Sequence, residues 1–236
     1  MNFFSGFQIC FLYGSASNRR PYSGCQKNVP EFERFFLQPY TRLCRVSLIR
    51  NKIMKSGIKS HLHKCLVPYR DLLTMVDRIL CRIQRRYSAQ IECHKGCGCG
   101  CRNLSIFPIE ALSLASALQD LPAGTAARIR KRAATASFWD CPLLEDRACN
   151  LYAFRPLICR THGFPLQTIY NQQLSIGHCR HNFKNMSPIP DDAVIDLDHI
   201  NGALRAINSS AVSEMPHVLQ LSDRLSIADA LLLAVF

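Results

Sequence analysis

The sequence lacks the features that mark several familiar classes of protein. No stretch approaches eighteen uninterrupted apolar residues, so no segment predicts a membrane-spanning helix. There is no glycine-rich loop of the G-x-G-x-x-G type and no recognisable nucleophile–base pair. There is also no internal repeat and no long low-complexity tract. These absences exclude the simplest membrane-spanning, dinucleotide-binding and repeat classes.

The first twenty residues also lack the basic start of a secretory signal. An apolar patch precedes any basic residue, and the first arginine is Arg19, whereas a signal peptide begins with a positive region. We therefore expect a cytoplasmic protein, in which thiols stay reduced unless they are bound. This disfavours a disulfide framework and favours metal binding or redox chemistry.

Acidic residues are scarce only in the first part of the chain. Residues 1–100 hold 17 Lys and Arg against 5 Asp and Glu, whereas residues 101–236 hold 12 of each. The net charge of +12 therefore belongs to the first hundred residues, where the basic residues are scattered. A nucleic-acid role rests on this charge alone. We expect a metal ion as the partner, and neither a nucleic acid nor a membrane.

Residues 1–53 show no sustained period of 2 or 3.6. We expect a leader that is disordered or that lies upstream of a true start at Met54, and a single domain over residues 54–236. A folded N-terminal domain is one alternative. An organelle transit peptide is the other, because no acidic residue precedes Glu31.

The remaining pattern predicts a mainly α fold. Helices are predicted over residues 68–87, 107–122, 124–139, 193–207 and 225–236, with a small β-hairpin over residues 166–177. Pro68 and Pro108 are placed in the first turns of their helices, where proline is tolerated. Thr125 is a candidate cap of the third helix. The predicted helices pack around a loop-rich centre that carries most of the cysteines.

Cysteine is the residue that the chain has in excess. Five of its thirteen cysteines lie singly, namely Cys10, Cys25, Cys44, Cys65 and Cys81. The other eight form two groups, the first made of Cys93, Cys97, Cys99 and Cys101 and the second of Cys141, Cys149, Cys159 and Cys179. We predict that these eight are the metal ligands.

Glycine alternates with cysteine in the first group, at Gly96, Gly98 and Gly100. Side chains two apart in an extended chain share a face, and glycine removes the Cβ clashes that a backbone wrapping a common centre would suffer. Four thiolates so close would repel one another, and a metal ion removes that penalty. Buried inert cysteines are the alternative, but these need no glycine between them.

The spacing does not select a metal. The second group has seven residues between Cys141 and Cys149 and nine between Cys149 and Cys159. Zinc ribbons use paired C-x₂-C knuckles, and bacterial ferredoxins use C-x₂-C-x₂-C-x₃-C-P; neither occurs here. The expected cofactor is therefore zinc or iron, with an iron–sulfur cluster as one form of the latter.

These motifs resemble the YkgJ-like cysteine-cluster family of zinc- or iron-chelating proteins. That family shows a C-x₃-C-x₂-C-C head, then C-P-x-L and C-x-[IL]-Y-x-x-R-P-x-x-C-R, and commonly a later cysteine. The positions that match after the head are Cys141-Pro142, Leu144, Cys149, Leu151-Tyr152, Arg155-Pro156, Cys159-Arg160 and Cys179. The head departs from the family, because position 100 is glycine and the extra cysteine is Cys99. The resemblance implies chelation and leaves the cellular role undefined.

Several residues near the cysteines have expected roles beside the cysteine ligands. Arg155 and Arg160 are expected to neutralise the thiolates or to donate hydrogen bonds to their sulfurs; the alternative for Arg155 is pairing with a helix end or a carboxylate. Tyr152 is expected to be packed, with its hydroxyl bonded, and Pro156 to set a turn. The histidines beside the cysteines are His94, His162, His178 and His181, of which His178 and His181 flank Cys179 and are the best ligand candidates.

Three functions follow from this pattern. The first is a metal-binding cysteine-cluster protein. The second is an iron–sulfur redox or protein-modifying enzyme, because some flagellin lysine methylases carry a similar cysteine signature. The third is a basic adaptor that binds nucleic acid through its first hundred residues. The sequence names no catalytic residue and leaves open whether the protein is an enzyme.

Overall fold

The computed structural model describes residues 55–93, 97–170, 172–215 and 223–233. Its helices are α1 Lys55–Arg86, α2 Pro108–Gln119, α3 Ala123–Ala133, α4 Leu157–Thr161, α5 Leu197–Glu214 and α6 Ile227–Leu232. Its strands are β1 Ser105–Ile106, β2 Leu144–Glu145, β3 Ala148–Cys149, β4 Leu166–Tyr170, β5 Gln173–Gly177, β6 Ile195–Asp196 and β7 Leu225–Ser226. Helix predominates and the sheets have two or three strands, which confirms a mainly α fold. The expectation for residues 1–53 lies outside the described residues.

Helix α1 begins at Lys55, well before the predicted start at residue 68, and Pro68 lies inside it. An interior proline costs a helix roughly 3 kcal/mol, because it removes a hydrogen bond and clashes with the preceding turn. Burial offsets this cost, since Leu62 and Leu66 before the proline are as buried as Leu73 and Val76 after it. The predicted first-turn position of Pro68 is therefore wrong, and one apolar face continues across it.

Helix α2 begins at Pro108 as predicted, whereas α3 differs from its prediction at both ends. Pro122 stands at the N-cap of α3, and Thr125 lies inside the helix and does not cap it. The helix ends at Ala133 because the residues that follow have little to bury: Phe138 is 37% exposed. The Ser137 hydroxyl instead closes a local turn by accepting from the Trp139 N–H at 3.2 Å.

The predicted hairpin is present as β4 and β5, paired antiparallel from Leu166↔Gly177 to Tyr170↔Gln173. Strand β6 joins β4 in parallel, so residues 195–196, predicted as helix, are strand. Helix α5 starts after them, where the Asp196 side chain accepts from the His199 N–H at 2.9 Å. Strand β7 likewise pairs with β1 at the start of the predicted last helix, which leaves α6 as a helix of 6 residues.

Two apolar clusters form the interior. The α1–α5 core contains Leu66, Tyr69, Val76, Ile83, Leu166, Ile195, Leu204 and Ala211, among others. The α2–α3–α6 core contains Ile106, Leu114, Leu118, Ile129, Leu143, Leu151 and Leu231, among others. Helix α2 lies between them, because Ile109 and Leu112 belong to the first cluster and Leu114 and Leu118 to the second. In the ranges described, no helix is long and apolar enough to cross a membrane.

Candidate metal centre

A cavity of about 380 Å³ lies beside α1, between the segment that precedes β1, the β2–β3 hairpin and α4. Six of the eight predicted ligands line it, namely Cys93, Cys97, Cys101, Cys141, Cys149 and Cys159. The buried Cys179 contacts this set through a hydrogen bond with Cys93. The side chain of Cys99 lies outside the described part. Cysteines from segments far apart in the sequence thus meet at one place.

Four of these residues form the inner cysteine group, which we define as Cys101, Cys141, Cys149 and Cys159. Burial is the largest cause that raises the pKa of each thiol, to about 12 for Cys141 and well above its ordinary value for Cys159. Cys101 and Cys149 add to the rise at both Cys141 and Cys159, because like charges close together disfavour ionisation. These thiols therefore stay neutral unless a cation stabilises their anions.

The other three form the outer cysteine group, which we define as Cys93, Cys97 and Cys179. The hydrogen bond with Cys179 is the largest cause that raises the pKa of Cys93, followed by burial. Cys97 raises the pKa of both Cys93 and Cys101. It therefore lies between the two groups, and the seven sulfurs form one electrostatically connected set.

Asn182 holds the outer group in place. Its side chain is fully buried, and Oδ1 accepts hydrogen bonds from the N–H groups of Glu92 at 3.0 Å and Cys93 at 3.1 Å. Its Nδ2 donates to the Gly163 carbonyl at 2.7 Å, and its own N–H donates to the Cys179 carbonyl at 2.8 Å. One amide thus fastens three separate segments. Sequence reasoning missed Asn182, although its place three residues after a predicted ligand is a usable signal.

Two glycines allow the close packing of these segments. Gly100 faces the His162 ring so closely that an added Cβ would lie 1.9 Å from His162 Nε2. Gly163 has a φ of +94°, and a Cβ there would lie 3.1 Å from Cys93 Sγ, so both backbone conformation and space favour glycine. The prediction that glycine in the first cysteine stretch removes Cβ clashes is confirmed at Gly100.

The β2–β3 hairpin brings Cys149 back towards Cys141. Leu144 pairs with Cys149 across the strands, and the two turn residues Asp146 and Arg147 have positive φ angles of 48° and 62°. Such angles match the type I′ turn of a two-residue hairpin. This hairpin was not predicted, because Asp-Arg is a weaker turn signal than Asn-Gly or Asp-Gly.

A buried carboxylate positions the helix that carries Cys159. Glu110 Oε1 accepts from the Leu157 N–H at 2.9 Å, at the start of α4, and Oε2 accepts from the Phe107 N–H at 2.9 Å. Burial raises the pKa of Glu110, and the two N–H donors oppose that rise. Glu110 falls near the start of the helix predicted over residues 107–122, but that prediction did not indicate a link to α4.

The two motif arginines differ in their contacts. Arg160 is buried and pairs with Asp77 of α1 at 2.5 Å, while its Nε donates to the Arg155 carbonyl at 2.8 Å. These bonds tie α4 to α1, so the contacts of Arg160 do not match the expected bonds to sulfur. Arg155 donates to the Cys159 carbonyl at 3.2 Å, and its charge opposes the rise that burial causes in the pKa of Cys149. Its contacts therefore fit both of the roles considered for it.

Tyr152 and the histidines correct further expectations. Tyr152 is 40% exposed, with the Arg155 guanidinium 3.7 Å from its ring centroid, so it is not packed inside as expected.

The histidines near the cysteines differ in position. His178 Nδ1 lies 3.0 Å from the Cys179 carbonyl, and His181 Nδ1 lies 4.0 Å from a Glu92 carboxylate oxygen. Of the four candidate histidines, His162 lines the cavity, so the preference for His178 and His181 is not supported. His94 lies outside the described residues.

The donor set suits a soft or borderline metal ion. Thiols predominate in it, and Asp77 at the cavity wall is already paired with Arg160; thiolates select zinc, copper(I) or iron–sulfur chemistry over magnesium or calcium. Within the described residues, three potential ligand atoms that all lie within 4.8 Å of one another are found in His61, Cys65 and Glu214, which do not line this cavity. The described cysteine sulfurs at the cavity do not form such a group of three, so in any three of them at least one pair of sulfurs is more than 4.8 Å apart.

Searches of family models, curated proteins and solved structures found no match to the chain. The resemblance to the YkgJ-like family therefore stays a prediction.

Proposed function

We propose that the protein binds zinc or iron, the latter as an ion or as an iron–sulfur cluster, through the cysteines of the inner and outer groups. The observation that carries this proposal is that six of these cysteines line one cavity, although they come from segments some forty residues or more apart. A hydrophobic core does not need thiols arranged around a shared space. A thiolate-bound ion does, because several sulfur ligands must reach one centre.

The electrostatics support the same proposal. Burial raises the pKa of Cys101, Cys141, Cys149 and Cys159, and neighbouring cysteines add to the rise at Cys101, Cys141 and Cys159. The hydrogen bond with Cys179, followed by burial, raises the pKa of Cys93. A bound cation supplies the positive charge that makes the ionisation of these thiols favourable. The positive charge of Arg155 opposes part of the rise in the pKa of Cys149 and Cys101 that burial causes. We assign the inner group as the main ligand set and the outer group as its extension, with Cys99 as an additional donor.

The resemblance to the YkgJ-like family supports this assignment. The stretch that carries the motif, from Cys141 to Arg160, corresponds to the β2–β3 hairpin and α4. In this proposal the hairpin presents Cys141 and Cys149, and the Arg155-Pro156 step leads into the short helix that presents Cys159. The spacing is therefore that of one hairpin and one helical turn, rather than that of zinc knuckles.

The test is metal content in single Cys→Ser variants of the full chain, purified without oxygen under reducing conditions. We expect Cys149→Ser and Cys159→Ser to lose at least half of the bound metal, because removal of one thiolate leaves the ion undercoordinated. Cys25→Ser is the matched control and should keep the wild-type amount, since it lies outside the two groups. Wild-type metal in Cys159→Ser would contradict the assignment.

A redox or protein-modifying enzyme is the second candidate function, and the walls of the cavity favour it. Leu80, Ile158 and Phe164 line the cavity together with the sulfurs, and an apolar wall of this kind is typical of a ligand pocket. Anaerobic optical spectroscopy separates the two candidates: visible thiolate–iron absorption supports this enzyme class, whereas a colourless protein with stoichiometric zinc supports a structural centre.

The nucleic-acid adaptor stays a proposal that rests on the positive charge of the first hundred residues. Salt-dependent binding to duplex DNA or RNA tests it.

A further inference from the structure

A second group of potential ligands lies at the other end of α1. His61 and Cys65 are four residues apart on this helix and share a face, and Glu214 is the last residue of α5. The His61 ring nitrogen, the Cys65 sulfur and a Glu214 carboxylate oxygen lie within 4.8 Å of one another. Cys65 is classed as a single cysteine because it lies alone in the sequence, and the helix predicted over residues 68–87 does not include it.

The contacts of Glu214 leave its charge available. Its Oε2 accepts a hydrogen bond from the Cys65 thiol at 3.2 Å, and its Oε1 accepts one from the Ser210 hydroxyl at 3.4 Å. No ion pair joins Glu214 to a basic side chain among the described residues. A carboxylate, a thiol and an imidazole thus meet here, and within the described ranges no ion pair neutralises the carboxylate.

We propose that His61, Cys65 and Glu214 bind one zinc ion or a similar thiophilic divalent cation, and that this ion fastens α1 to the end of α5. Binding breaks the S–H bond of Cys65, releases that proton to solvent and forms a metal–sulfur bond. The nitrogen and the carboxylate oxygen complete three protein ligands, and water takes the fourth position. The thiol excludes magnesium and calcium as the preferred ions, because these choose oxygen ligands.

This site is separate from the cysteine cavity and does not depend on the proposed function. The first residue of α1 that lines the cavity is Asp77, twelve residues after Cys65, which corresponds to roughly 18 Å along the helix axis. Changes at sites this far apart have independent effects. Burial differs within the site, since Cys65 is buried whereas His61 and Glu214 are exposed, so a cation reaches it from solvent.

The test compares zinc bound per full-length chain after Zn²⁺ loading under reducing conditions and removal of unbound metal. His61→Gln and Glu214→Gln should each bind one zinc ion fewer than the wild type. Both residues are exposed, so these variants should fold. His63→Gln and Asp71→Asn are matched controls on exposed residues of α1 and should keep the wild-type amount. Wild-type zinc in both ligand variants would overturn the proposal.

Two further readouts sharpen the assignment. With Co²⁺ as the probe, the difference spectrum between the wild type and His61→Gln should contain thiolate–cobalt charge-transfer absorption; its absence would exclude Cys65 as a ligand and overturn the three-ligand site. Zinc should also raise the Tm of Cys159→Ser by several degrees, and this shift should become smaller when Glu214→Gln is added; an unchanged shift would overturn the proposal. Because Cys159→Ser tests the cysteine cavity alone, failure of one site is distinguishable from failure of the other.

Discussion

The α1–α5 core and the walls of the cysteine cavity are held by different interactions. The core is made of long helices whose Leu, Ile, Val and Tyr side chains are almost completely buried. Apart from one side of α1, the cavity walls are loops, short strands and single helical turns, fastened by Asn182, Glu110 and the Arg160–Asp77 pair. Apolar burial is sufficient to form the core. The walls contain several polar tethers around thiols that stay neutral, so we expect them to need a bound ion for full stability.

Metal removal should have the largest effect and should affect the cavity walls more than the α1–α5 core. Chelation under reducing conditions should lower the Tm by many degrees, because structural zinc contributes on the order of 10 kcal/mol in small domains. Hydrogen exchange should increase first in residues 97–106 and 141–164, while the buried turns of α1 and α5 stay protected. An unchanged melt after verified metal loss would show that the walls do not depend on the ion.

A cavity made in the α1–α5 core should lower the stability of the protein without changing its metal content. Leu204→Ala removes a side chain that is 2% exposed and should cost about 3 kcal/mol of the free energy of unfolding, a Tm decrease of roughly 10 °C. Its metal content should equal that of the wild type. The matched variant is Leu151→Ala, equally buried beside Cys149, which should lower both Tm and metal content.

Loss of the Asn182 amide should release the outer cysteine group. Asn182→Ala removes the acceptor of the Glu92 and Cys93 N–H groups and one of the two donors to the Gly163 carbonyl, which keeps the Cys179 N–H; this loss should cost about 2 kcal/mol or more. Calorimetry and elemental analysis should show a lower Tm together with weaker metal retention. Asn185→Ala, an exposed asparagine three residues later, should change neither quantity; equal behaviour of the two variants would refute the tether.

The contact of Gly100 with His162 offers a test by rescue. Gly100→Ala places a methyl group where the ring lies and should cost about 1–3 kcal/mol, with partial loss of metal. The double variant Gly100→Ala/His162→Ala should recover most of the Tm, because the smaller side chain makes room. A double variant as unstable as Gly100→Ala would place the strain elsewhere.

The smallest effect is expected at the β2–β3 hairpin. The hydrogen bond from Asn150 and the ion pair with Arg132 lower the pKa of Glu145 below its ordinary value of 4.5. Its stabilising contribution is therefore present above pH 4.5 and is lost as the pH falls through the lowered pKa. Glu145→Gln should melt slightly below the wild type at about pH 7, and this difference should shrink as the pH falls below about 4.5 and through the lowered pKa. Asp146→Asn, its neighbour in the turn, is the matched control for the loss of one carboxylate.

Local pattern was sufficient for much of the helical framework. Helix α2 begins at Pro108 and the β4–β5 hairpin spans residues 166–177 as predicted, because first-turn proline and alternating apolar residues act within a few positions. The same local rules failed at Pro68. There the apolar face on both sides of the proline is buried against α5 and the sheet, and local rules do not include that burial.

The sequence by itself determined the excess of cysteines, their two groups and the need for glycine between them, because these follow from residue type and spacing. Only the tertiary structure decided which cysteines face one cavity, that Asn182 and Glu110 hold them there, and that Cys65 meets His61 and Glu214. Each of these depends on contacts between residues up to 149 positions apart. Such contacts form when whole helices pack, and no periodicity within a segment encodes which distant side chain will be its neighbour.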